Sequence, residues 1–181
     1  MRVLRMAAVL GAAMLALTNV ADERRAAAQQ GNAAREPYIP GLGEIMTLTQ
    51  MRHLKLWLAG SAKNWDLADY ELDELKEGFE DAAKYFERVD DIPIADLISS
   101  SVRPELPELK KAIDARDGTK FAAAFDKLTA ACNSCHQAAK HGYIVIQRPT
   151  SSPFPNQSFA PPENSDKPRE SGAGHSRPRG K

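Results

Sequence analysis

The chain has 181 residues, in which 24 basic side chains balance 24 acidic ones, and it holds only two cysteines. That balance leaves nucleic acid without the strongly basic surface it needs, so no nucleic-acid partner is expected. Two cysteines and four widely spread histidines likewise cannot make a disulfide-dense scaffold or an ordinary four-ligand zinc site.

Arg2 and Arg5 precede an apolar, alanine-rich run from Met6 to Leu17. A charged start before a short apolar run reads as a secretory signal, with Ala21 and Ala28 as small residues at which it could be cut. The run is too short to span a bilayer, so no stable membrane span is expected in the mature protein. Residues 1–28 are assigned to the signal and its cleavage region, and residues 29–36, polar and alanine-rich, to a linker. Residues 37–149 form the expected compact domain, a normal size for one small core. From Thr150 to the end, Pro, Ser, Asn and Gly dominate. Residues 150–181 are therefore expected to be a disordered tail, too poor in apolar side chains to offset their ordering entropy.

Within 37–149 the periodicity is helical. A first helix is expected over Leu42–Ser61, opened by Gly41 and Gly43; its apolar residues wrap most of the circumference and do not declare one buried face. A second is expected from Asp66, as its cap, to about Arg88. Ala68, Leu72, Leu75, Phe79, Ala82 and Phe86 fall on one stripe, and Glu71, Asp73, Glu74, Glu77, Glu80 and Asp81 on a face read as solvated. Asp90 to Pro93 breaks the chain before a short piece, Ile94–Ser101. Pro104 and Pro107 suit the first turn of a third helix running to about Arg116. Asp117-Gly118 marks a turn, and a fourth helix should run from Thr119 to His141, stopped by Gly142. Only Tyr143–Ile146 offers a short strand-like run. The expected fold is all-α, an up-down-up-down four-helix bundle.

The last helix carries the one stretch that specifies chemistry, Cys132-Asn133-Ser134-Cys135-His136. Two thiols three positions apart, followed at once by an imidazole, form the pattern that attaches haem covalently. Each thiol can add to one porphyrin vinyl group, giving two thioethers, and the adjacent histidine meets the iron as proximal ligand. Positions i and i+3 share a helix face, so both sulfurs can reach one ring. Phe121, Phe125, Leu128, Cys132, Cys135 and Ala139 follow one core rhythm, which would direct a haem c inward. A CxxC pair also suits a thiol oxidoreductase, although that chemistry usually sits in a βαβ setting.

Four helices with CxxCH near the end of the last one resembles the cytochrome c′ family, the class II c-type cytochromes, over about Leu42 to Arg148. The resemblance implies Cys132 and Cys135 as thioether anchors and His136 as the proximal iron ligand. It also implies haem attachment outside the cytoplasm, hence a periplasmic protein, and a homodimer as the common assembly. That family often has an aromatic and then a basic residue three and four places after the histidine; here Ala139 stands at the first place and Lys140 at the second.

The far side of the iron decides between two functions. In such a bundle the start of the first helix faces the end of the last, which brings Met46, Met51 and His53 into the window, with His53 or Met51 favoured as a sixth ligand. A sixth protein ligand would make a one-electron carrier, whereas an open position would make a binder of small gases such as nitric oxide or carbon monoxide. Arg148 is a candidate partner for a haem propionate. No paired acid and base groups mark a substrate pocket, so an enzyme is not expected. Between 37 and 149 acids outnumber bases, which suits a basic redox partner protein.

Overall fold

The computed structural model describes residues 38–163. The expected signal and linker, and residues 164–181 of the expected tail, lie outside the described residues. The chain divides at Pro40, and every described helix belongs to the unit from Pro40 onward. Those helices are α1 (Leu42–Ser61), α2 (Trp65–Tyr85), the short α3 (Ile94–Leu97), α4 (Leu106–Asp114) and α5 (Gly118–Ala138). Among the described residues there is no strand, only an isolated bridge between Val89 and Ile92. No helix among them is long and apolar enough to cross a membrane.

Local chemistry explains most element ends. Between α1 and α2 the chain turns within three residues, with Lys63 at φ 60° and Asn64 N–H donating back to the Ala59 carbonyl. Asn64, not Asp66, caps α2, its Oδ1 accepting from Leu67 N–H at 3.3 Å. The helix also stops at Tyr85, before the expected Arg88, because Val89 and Ile92 close a tight turn over Asp90 at φ 53°. From Ile94 to Asp114 the coil is nearly continuous but changes pitch. Arg103 N–H donates to Ile98 O across a π turn (Ile98–Val102), and a 3₁₀ turn (Arg103–Glu105) leads into α4. Pro104, lacking an N–H, cannot keep a regular α ladder there.

Asp117 caps α5 by accepting from Thr119 and Lys120 N–H at 3.1 and 3.0 Å. The helix ends at Ala138, three residues before the expected His141. Lys140 adopts φ 60° and His141 N–H donates to His136 O at 2.7 Å, so a lysine takes the left-handed position anticipated for Gly142.

The helices share one apolar core, with Leu56, Leu75, Leu109, Phe121, Phe125 and Leu128 fully enclosed. The stripe expected on α2 is buried from Ala68 to Ala82. Two departures matter. Glu71, assigned to the solvated face, is 1% exposed and pairs with Arg52 of α1 at 3.3 Å; burial raises its carboxyl above the usual range. The first part of the expected tail, residues 150–163, is mostly exposed but touches the helices through a few residues. Phe159 lies against the core, Asn64 Nδ2 donates to Ala160 O at 3.2 Å, and Lys55 Nζ sits 4.9 Å over the Phe154 ring. Two phenylalanines supply the apolar anchor that composition alone understated.

A cavity between the CxxCH helix and the first helix

α1 and α5 run antiparallel, as a ladder of contacts shows. Gly60 of α1 meets Phe121 so closely that an added methyl would stand 2.1 Å from the ring. Next, Trp57 packs on Phe125 with ring centroids 5.0 Å apart, and then His53 on Phe125 at 4.3 Å. His53 Nε2 lies 2.9 Å from Thr129 Oγ1. The Thr129 hydroxyl already donates to Phe125 O at 2.9 Å, so toward His53 it acts as acceptor. Nε2 of a neutral His53 therefore carries the proton and Nδ1 is bare. Burial pushes the His53 pKa down from 6.5 to about 4, which keeps the ring neutral.

Beyond His53 the two helices border a cavity of about 400 Å³, within the size range of small-molecule and cofactor sites. Leu42, Met46, Thr49 and His53 line it from α1, and Leu75 and Phe79 from α2. Val89, Ile92, Ile94, Ile98 and Val102 add an aliphatic wall from the turn, α3 and the π turn. α5 contributes Cys132, Cys135, His136 and Ala139, and the segment after it His141, Ile144 and Ile146. All three motif residues expected to hold haem thus open onto one apolar, partly open cavity.

The two thiols are free. Burial pushes the Cys132 thiol up to about 12 and raises that of Cys135 as well. Thiols of that kind are poor thiolate nucleophiles at neutral pH, unlike those of redox-active CxxC pairs.

His136 Nδ1 lies 2.8 Å from the Ile144 carbonyl, which can only accept. In the neutral ring the proton is therefore on Nδ1, leaving Nε2 as the bare donor nitrogen. This is the arrangement in which a metal-binding histidine is held by its second nitrogen. Among the described residues, no group of three or more His, Cys, Asp or Glu side chains converges on one point. An iron already held by a porphyrin needs only axial donors, and the cavity offers those.

The remaining sequence candidates separate. His53 lines the cavity, but Met51 does not; it lies on the side of α1 that carries Leu48, which is 52% exposed. Met46, in the same window, does line the cavity. Arg148 is directed elsewhere. Its guanidinium takes both oxygens of Asp126, at 2.6 and 3.1 Å, and lies 4.2 Å over the Trp57 ring. Asp126 answers the charge that a propionate had been expected to meet, so Arg148 is not part of this cavity.

Thr129 and Asn133 escaped sequence reasoning. Thr129 interrupts an apolar stripe, and Asn133 is a poor helix former inside a helix; both anomalies are visible in the letters. No family model, curated protein or solved structure matches this chain.

Proposed function

We propose that this chain is an exported, mono-haem c-type cytochrome with a four-helix-bundle architecture, and that it passes single electrons. The observation that carries the reading is the joint placement of Cys132, Cys135 and a His136 with bare Nε2 on one apolar cavity. Cys132 and Cys135 would hold haem c by thioethers, and His136 would give the proximal nitrogen. Bound there, the haem would supply an iron that alternates between ferrous and ferric states. The aliphatic wall from Val89 to Val102 would keep water from the ring, and such burial is one of the levers that set a haem potential.

The helix register favours the carrier over a gas binder. From Thr129 to His136 is seven residues along α5, two turns. The same two turns from His53 along antiparallel α1 arrive at Met46, also on the cavity wall. Met46, level with His136 on the cavity wall, would therefore be the sulfur donor to the iron, and a thioether there would raise the potential. His53 sits two turns deeper with Nε2 committed to Thr129. Against a thiol oxidoreductase stand the partly buried thiols of Cys132 and Cys135, both raised above the ordinary thiol range.

Optical spectra of the mature protein, oxidised and reduced, test this. A low-spin pattern with slow carbon monoxide binding is the expected result. A high-spin pattern with fast binding would replace the carrier by the gas-binding reading. Titratable free thiols in protein made alongside working haem maturation would remove both.

A further inference from the structure

We propose that Asn133, the residue after the first motif cysteine, is a positioning residue that fixes which nitrogen His136 offers to the cavity. The proposal rests on the reading of His136 as the proximal ligand. After α5 the chain reverses through Lys140 and runs back along the helix as an irregular strap. Such a strap has no sheet partner to hold it. Asn133 supplies one: its Nδ2 donates to Ile146 O at 2.9 Å and its Oδ1 accepts from Ile146 N–H at 2.7 Å. The side-chain amide thus pairs with the strap as a neighbouring β-strand would.

The consequence lies two residues back on the strap. The Ile144 carbonyl is the acceptor for His136 Nδ1–H at 2.8 Å. Ile144 is also tethered by its N–H, which donates to His141 O at 2.8 Å. Strap residues Tyr143, Ile144 and Val145 are exposed, at 77%, 41% and 70%, so side-chain burial holds this stretch weakly. Asn133 and His136 are three apart on α5, hence neighbours on one face, and they grip the strap two residues apart. The amide clamps the strap, the strap presents a carbonyl, and the carbonyl holds the proton on Nδ1. A hydrogen bond of this kind also makes the ring a stronger donor through Nε2, which favours the ferric iron and lowers the potential.

The test uses full-length ¹⁵N-labelled protein, haem-loaded and reduced, with Asn133→Ala and Asn133→Asp variants. Alanine is the better helix former, so α5 should persist in the first. Aspartate keeps the acceptor for Ile146 N–H and loses the donor. Long-range ring correlations should show His136 protonated on Nδ1 in the parent, with that proton slow to exchange. In Asn133→Ala the exchange should quicken and the reduction potential rise, with Asn133→Asp between the two. Unchanged exchange and potential in Asn133→Ala, with helicity retained, would overturn the proposal while leaving the haem reading intact. Protein that carries no covalent haem would overturn the haem reading instead. The ring correlations still apply to that chain: a His136 tautomer indifferent to Asn133 sinks the clamp, and one that follows Asn133 supports it.

Discussion

Gly60→Ala should destabilise the protein by about 2 kcal/mol, although the same change favours an isolated helix by about 1 kcal/mol. The new methyl carbon would stand 2.1, 2.2 and 2.7 Å from three atoms of the Phe121 ring. Ordinary carbon contacts lie near ~3.5–4.0 Å, so ring and helix must part by more than an ångström. Phe121 cannot swing away, because it is 1% exposed and enclosed by Trp57, Trp65 and Phe125. Overpacking of this kind costs about 3 kcal/mol at the upper end of its usual range. Subtracting the propensity gain leaves about 2 kcal/mol, a fall in Tm of roughly 8 °C for a domain of this size. Gly118→Ala provides the opposite sign, since nothing lies within 4 Å of the added carbon and up to about 1 kcal/mol should be gained. Denaturant titration followed by far-UV circular dichroism measures both. A Gly60→Ala protein as stable as the parent would mean that α1 and α5 do not meet at this point, and the register that sets Met46 level with His136 would go with it.

Other outcomes follow from individual side chains. In haem-loaded protein, Met46→Ala should convert a low-spin spectrum to high-spin and open the iron to carbon monoxide, whereas Met51→Ala should leave the spectrum alone; the reverse pattern would contradict the assignment. The His53 pKa is lowered from 6.5 to about 4, so below pH 6.5 the unfolded chain binds a proton that the folded chain refuses. Stability should fall as pH drops from 6.5 toward 4, by about 3 kcal/mol at most. His53→Gln should flatten that interval in denaturant midpoints taken at pH 7 and 4.5, and an equal loss in both proteins would refute the burial argument. Arg116 is exposed at φ 52°, a conformation costing about 1–2 kcal/mol for a residue with a Cβ. Arg116→Gly should therefore raise the denaturation midpoint modestly, and a lower midpoint would contradict the strain.

The sequence disclosed those features governed by short-range rules. The stripes on α2 and α5 lie where four-three spacing puts them, and the CxxCH thiols share the cavity wall because i and i+3 share a face. The buried face of α1 was illegible because Thr49 and His53 are on it, and only the partners Ile45 O and Thr129 make those polar groups tolerable. Glu71 was misassigned for the same reason: its burial depends on Arg52 from another helix, and charge counting along one helix cannot register that. The fate of Arg148 required knowing that the chain doubles back to Asp126. Tertiary hydrogen bonds, not periodicity, settle such positions.

The haem bond itself is the point to test first. Mature protein, unfolded and extracted with acidified acetone, should keep its colour, and mass spectrometry should find one iron porphyrin on the peptide containing Cys132 and Cys135. A colourless protein whose two cysteines both react with a thiol reagent would contradict the account at its root.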